Sequence, residues 1–183
     1  MSETPITVRQ LTLADAALFR EIRLDGLRRD PDAFASTFEE ENEKELSFFA
    51  ERLTTSAVFA ASRGRETLGV AGFYVQPGPK HGHKGLMWGM YVRPRMRGAG
   101  IGARLIEAVI DHARCRVELI QLRVISDNPA ARRLYQRFGF EEYGLERRAA
   151  KYRGRYHDDV LMAKMLVPDQ EPGSGPPSGD GRR

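Results

Sequence analysis

The sequence predicts an α/β (α+β) domain in which one mixed, mostly antiparallel sheet of about seven strands carries helices on both faces. Three observations lead there. Stretches of strand-like alternation and of helical apolar spacing follow one another in the order strand, two helices, three strands, helix, strand, helix, two strands. A cluster of glycines, Gly98, Gly100 and Gly102, joins the fourth strand to the third helix. Finally, a chain of 183 residues, 41% hydrophobic and 30% charged, suits one globular domain with its own core.

Each element has its own signal. Residues 6–11 alternate as a strand does. Thr12, followed three positions on by Asp15, has the form of a helix cap, and Ala17, Leu18, Ile22 and Leu27 fall on one face of the helix behind it. Pro31 stops that helix. A second helix is expected from the acidic stretch 39–45 into Leu46, Phe49 and Leu53, since negative charge at a helix start suits the backbone dipole. Residues 57–62 and 67–75 read as two strands joined by the hairpin turn at 63–66. After a Pro/Gly/His loop, residues 86–92 form a further strand with Gly89 inside it as a candidate bulge. Trp88 and Tyr91 stand an odd number of positions apart on it, which places them on opposite faces.

From Gly100 onward, Ile101, Leu105, Ile106, Val109 and Ile110 make one apolar helix face. Residues 117–125 are another strand. Asn128-Pro-Ala opens a short helix bearing Leu134, Tyr135 and Phe138, and Gly139 ends it. Strands from residue 140 and over 156–166 complete the sheet. The domain is expected over residues 1–167. Residues 168–183, rich in Pro, Gly and Ser with almost nothing to bury, read as a disordered tail.

The glycine turn carries the chemistry. A helix N-terminus offers unpaired N–H groups and a partial positive charge, which suits a phosphate. Glycines let the backbone approach its oxygens, and Arg93, Arg95 and Arg97 add positive charge nearby. No Gly-Lys-Ser/Thr ending follows, which excludes the P-loop, and the spacing is not the dinucleotide-binding GxGxxG.

Arg97-Gly-Ala-Gly100-Ile-Gly102 resembles the Arg/Gln-x-x-Gly-x-Gly/Ala loop of GNAT acetyltransferases. Asn128-Pro-Ala-Ala131 with Tyr135, Gly139 and Phe140 is similar to that family's second motif, Asn-x-x-Ala-x-x-x-Tyr-x-x-x-Gly-Phe. Both motifs occur in order, and the resemblance covers residues 6–167. It implies an N-acetyltransferase that moves an acetyl group from acetyl-CoA to a primary amine of a small molecule or peptide. In such a protein the pyrophosphate of acetyl-CoA lies on Arg97, Gly98, Ala99, Gly100, Ile101 and Gly102. The pantetheine arm pairs with the preceding strand at Met90, Tyr91 and Val92, where a backbone N–H near Met90 holds the oxyanion. Tyr135 corresponds to the family tyrosine that protonates the departing thiolate, though by position alone it is equally a core aromatic. Asn128 matches a cofactor-contacting position and also has the form of a helix cap.

A base must deprotonate the amine, and the candidates are Glu40, Glu41, Tyr74 and His83. The acidic run, which resembles the acceptor-side helix of the family, points to a cationic acceptor, unless it is simply a solvated helix start. The stretch Arg153-Gly-Arg155-Tyr156-His157-Asp158-Asp159 resembles the hairpin that borders the family's acceptor site, while each residue by itself reads as part of a turn with polar strand ends. A second reading is an acyl-CoA-binding sensor without turnover.

The remaining features set bounds. A net charge of +4, mostly spread arginine, gives no patterned sign of a nucleic-acid partner. No apolar run approaches the ~20 residues that cross a bilayer. The opening MSETPITVRQ lacks a basic-then-apolar leader, so a cytoplasmic location is expected. Cys115 is the single cysteine and has no recognisable His partner arrangement. His81 and His83 lack the companions of a metal site, so no metal is expected. Homodimers are common in the family, and a homodimer is among the expected assemblies.

Overall fold

A computed structural model describes residues 4–166, so the expected tail at 168–183 lies outside the described residues. The sheet has seven strands in the order β1-β2-β3-β4-β5-β7-β6. These are β1 Ile6–Gln10, β2 Ala57–Arg63, β3 Glu66–Val75, β4 Lys84–Val92, β5 Leu119–Ile125, β6 Glu141–Tyr152 and β7 Arg155–Met165. The helices are α1 Ala16–Arg29, α2 Phe38–Asn42, α3 Leu46–Thr55, α4 Ile101–Ala113 and α5 Pro129–Arg137. All neighbours are antiparallel except β4 and β5, which α4 connects by the crossover that a parallel pair requires.

Two cores lie on opposite faces of the sheet. Leu68, Phe73, Ile101, Leu105, Val109, Leu122 and Phe140 fill the one under α4. Phe19, Ile22, Leu27, Phe49, Leu53 and Val70 fill the one under α1 and α3. The first helix therefore buries Phe19 with Ile22 and Leu27, whereas Ala17, expected on that face, is exposed. A short 3-10 turn, Leu13–Asp15, accounts for the difference, because it shifts the start of the regular helix. The expected single second helix is two helices. Thr37 caps the short α2, which ends at Asn42, and the chain restarts at Leu46.

Gly89 is a bulge, as its position in the strand suggests. Val70 pairs with Tyr91 and Gly72 with Trp88, so Ala71 alone faces both Gly89 and Met90. Gly89 takes φ +62°, where a side chain is disfavoured. The extra residue changes the face on which the aromatics fall. Trp88 and Tyr91 both pack into the α1/α3 core, and the expectation of opposite faces is corrected: one inserted residue restores even parity. Met90 turns instead toward the α4 core.

Candidate functional site

The strands β4 and β5 pair only at Lys84↔Leu119, Gly85↔Ile120 and Leu86↔Gln121. Beyond Leu86 they diverge, and the β5-facing backbone of β4 has no strand partner up to Val92. Peptide groups inside a domain normally find partners. An unpaired edge in mid-sheet is thus ready for an extended ligand. Two cavities, of about 910 and 540 Å³, open along the split.

The larger cavity follows β4 to the glycine turn and is bordered by Met90, Val92, Gly98, Gly100, Gly102 and Tyr135. Gly98 and Gly100 take φ of +83° and +77°, which turns the chain into α4. The first intrahelical acceptor is the Gly100 carbonyl, bonded by Arg104 N–H at 3.2 Å, so the N–H groups of Ile101, Gly102 and Ala103 precede the helical ladder. Such a nest suits the oxygens of a diphosphate. Ala99 is different from its neighbours. Its N–H is already donated to Met96 O at 3.3 Å, as that of Arg97 is to Pro94 O at 3.2 Å. Gly102 allows close packing at the helix start, since a Cβ there would stand 2.9 Å from Leu134 Cδ2 and 3.2 Å from Met90 Cε.

Gly100→Ala is expected to destabilise the fold by about 1–2 kcal/mol, because alanine must hold a left-handed conformation there. Urea unfolding measures it, and an unchanged midpoint would show that the turn relaxes without penalty.

The arginines expected to supply charge are largely engaged. Arg93 bonds Thr67 O and Glu21, Arg95 pairs with Glu66, and Arg97 pairs with Asp30 while donating to Val92 O. Arg137 and Arg155 border the same cavity and make no ion pair among the described residues. Composition alone gave no way to select these two from the many arginines.

Tyr135 and Asn128 both reach this cavity. Asn128 Oδ1 accepts Ala131 N–H at 3.0 Å, a helix cap as well as a wall of the groove. Tyr135 is 6% exposed, with its ring edge-on to Phe140 at 5.8 Å. Burial raises its phenol pKa well above the ordinary value, which keeps the proton on at neutral pH. Tyr91 contributes backbone to the open edge, but its hydroxyl donates to Asp25 Oδ2 at 2.8 Å and its ring is core.

The smaller cavity lies across the split and places the base candidates. Tyr74 is on its wall. Glu40 is not: its carboxylate accepts Thr37 N–H at 2.8 Å to close a capping box, and that bond lowers its pKa. Glu41 is not there either. Its side chain is 3% exposed and accepts Arg23 Nε at 3.0 Å and Nη2 at 2.7 Å, with Arg52 Nη2 at 3.5 Å. These bonds commit both carboxylates, and neither residue lines the two cavities. His83 lies at the closed end of the split, where its carbonyl accepts Glu118 N–H at 2.8 Å, remote from both cavities.

His157, from the hairpin stretch, also reaches the split. It is 7% exposed, borders both cavities, and sets Nε2 3.7 Å from Asp32 Oδ1. Its hairpin was visible in the sequence, but nothing there distinguished this residue from its polar neighbours. Asp159 sits beside it on β7, its pKa raised chiefly by burial. Among the described residues, no group of three His, Cys, Asp or Glu is arranged to hold a metal, and no helix is long and apolar enough to cross a membrane.

Residues 20–140 match the model of the acetyltransferase (GNAT) family. The chain is 32% identical over 111 residues to an L-methionine sulfoximine/L-methionine sulfone acetyltransferase of Pseudomonas aeruginosa, covering 60% of this chain and 64% of that protein. It is 41% identical over 63 residues to the N-alpha-acetyltransferase RimI of Mycobacterium tuberculosis, 34% of this chain and 39% of the relative. The chain thus spans less than two thirds of either. The fold is similar to that of yncA from Salmonella typhimurium, whose structure holds its cofactor acetyl-CoA, with TM-score 0.75, 22% identity and coverage of 93% of this chain and 99% of that one.

Proposed function

The chain belongs to the acetyltransferase (GNAT) family, and we propose that it transfers an acetyl group from acetyl-CoA to a primary amine by direct attack in a ternary complex. One observation carries the reading: one cavity joins the unpaired edge of β4, through the glycine turn, to a helix N-terminus with free N–H groups. That layout fits an extended amide-bearing arm ending in a diphosphate. The residues suited to hold acetyl-CoA are Met90, Tyr91 and Val92 along the arm, and Gly98, Gly100, Ile101 and Gly102 at the phosphates. Arg137 and Arg155 add charge, and Asn128 shapes the wall. Acetyl-CoA supplies the activated acyl group.

The protein's own groups supply the rest. His157, at the junction of the cavities, accepts the proton that the ammonium must lose before its nitrogen can attack. A backbone N–H on the open β4 edge stabilises the oxyanion. Tyr135 donates its proton to the departing thiolate sulfur. No metal or protein nucleophile is needed in this scheme. The relatives named above act, by their names, on amino-acid derivatives or on an α-amine, and an amine acceptor is common to both. The proposed place of work is the cytoplasm, where the free thiol of Cys115 stays reduced.

Thiol release from acetyl-CoA, followed over a panel of amines, tests the reading. Turnover with at least one amine is expected. His157→Asn should lower kcat/KM at neutral pH by about tenfold or more, and the deficit should shrink as pH rises and solution supplies the free amine. Tight acetyl-CoA binding without turnover on any amine would make the protein a sensor, and absence of binding would sink the proposal.

A further inference from the structure

The smaller cavity has a feature that amine transfer does not by itself require. Its floor holds two guanidinium groups, Arg23 from α1 and Arg52 from α3, with one carboxylate, Glu41, between them. Arg23 is 5% exposed. Its Nε and Nη2 are spent on Glu41, and its Cζ lies 4.8 Å from the centre of the Phe34 ring. Arg52 stacks on Phe48 and Trp88, at 4.6 and 5.3 Å from the ring centres. Two cations and one anion leave a surplus positive charge at the bottom of a pocket, where poor solvation makes it costly. Burial and the nearby Arg23 charge accordingly push the Arg52 pKa below its ordinary value.

The unspent donor is well placed. Among the described residues, Arg23 Nη1 makes no hydrogen bond, and a Cβ on Gly89 would stand 3.4 Å from it. Gly89 is the bulge in the stretch where β4 has left β5. A guanidinium N–H therefore points to the cavity beside the open strand edge, while the opposite wall carries His157 and Asp159 on β7. The cavity also carries negative charge, on Asp32 beside His157 and on Asp159, while Arg123 is paired with Glu146 at 2.7 Å.

We propose that the acceptor is a free α-amino acid, whose carboxylate is held by Arg23 Nη1 and Arg52 while its amine faces His157. This rests on the N-acetyltransferase reading and adds the substrate class. The arrangement gives one cavity both a cationic subsite and a proton acceptor with Asp159, matching a ligand whose carboxylate and amine are carried by the same carbon. Arginine is the residue suited to such a carboxylate, through parallel N–H donors. It also replaces the cationic acceptor expected from the acidic run, since Glu41 serves the arginines.

The test compares each of several α-amino acids with its own carboxamide in the thiol-release assay. For the parent protein, kcat/KM for the acid is expected to exceed that for the amide by about 100-fold, the scale of one or two charge-assisted hydrogen bonds. Arg52→Gln should collapse that ratio by about tenfold or more, and Arg52→Lys should restore part of it. A melting curve on each variant checks that it is folded. Equal or better turnover of amides, peptide N-termini or polyamines would overturn the amino-acid proposal while leaving the acetyltransferase reading intact. Turnover of no amine at all would overturn both.

Discussion

Tyr135→Phe is expected to lower kcat by about 100-fold or more, the scale of losing a positioned general acid. The substitution removes one oxygen and leaves the ring, so the edge-on contact with Phe140 at 5.8 Å persists and the core under α4 keeps its volume. The loss should thus sit in kcat, with an unfolding midpoint close to the parent's. Burial raises the phenol pKa, so this proton stays available across the neutral and mildly alkaline range. The parent's alkaline limb should accordingly show no fall from Tyr135 below about pH 10. A variant within threefold of the parent at saturating substrates would reduce Tyr135 to a packing residue.

Glu41→Gln should cost about 3 kcal/mol or more of folding stability, the largest structural effect expected of a single substitution here. Glu41 is buried, and its carboxylate answers two guanidinium groups from two helices. A neutral amide leaves both cations poorly compensated, and α1, α2 and α3 lose the pair that ties them together. Chemical denaturation measures the loss, and a change under 1 kcal/mol would mean that water already screens the cluster. Burial alone would raise the Glu41 pKa, but the Arg23 hydrogen bonds and the charges of Arg23 and Arg52 outweigh it and leave it lowered. The sign follows from that direction. Its stabilisation is complete above the ordinary carboxylate range and drains away as pH falls through the lowered folded value. Glu41→Gln should therefore be hurt most at neutral pH and converge on the parent in acid.

The sequence specified the sheet and the glycine turn well, because both depend on local patterns. Alternation marked every strand to within a few residues, and Gly98 and Gly100 announced a backbone geometry that few other residues accept. Gly89 was recognisable as a bulge, yet its effect on Trp88 and Tyr91 depends on which β3 residues face it, and that pairing is not local. The acceptor side was harder for the same reason. Glu41 looked like any member of an acidic run until α1 and α3 brought Arg23 and Arg52 to it. His157 reaches both cavities only because β7 inserts between β5 and β6, a non-sequential placement that sets it beside the split. Glu40 and Glu41 shared one property: each was a polar group in the acidic run whose hydrogen bonds the fold had already committed.

The open edge of β4 also bears on how the protein is held together. With three residue pairs joining β4 to β5, the halves β1–β4 and β5–β7 share a short seam inside one sheet. A ligand lying along that edge would act as a splint across the joint, and its occupancy would be felt as rigidity by helices that never touch it. By mass action, a splint present at a hundred times its dissociation constant adds about 2.7 kcal/mol to the folded state. On the proposed function, the durability of this fold in a cell would then follow the supply of acyl donor, and starvation for it would reach the protein as a loss of lifetime as well as of turnover.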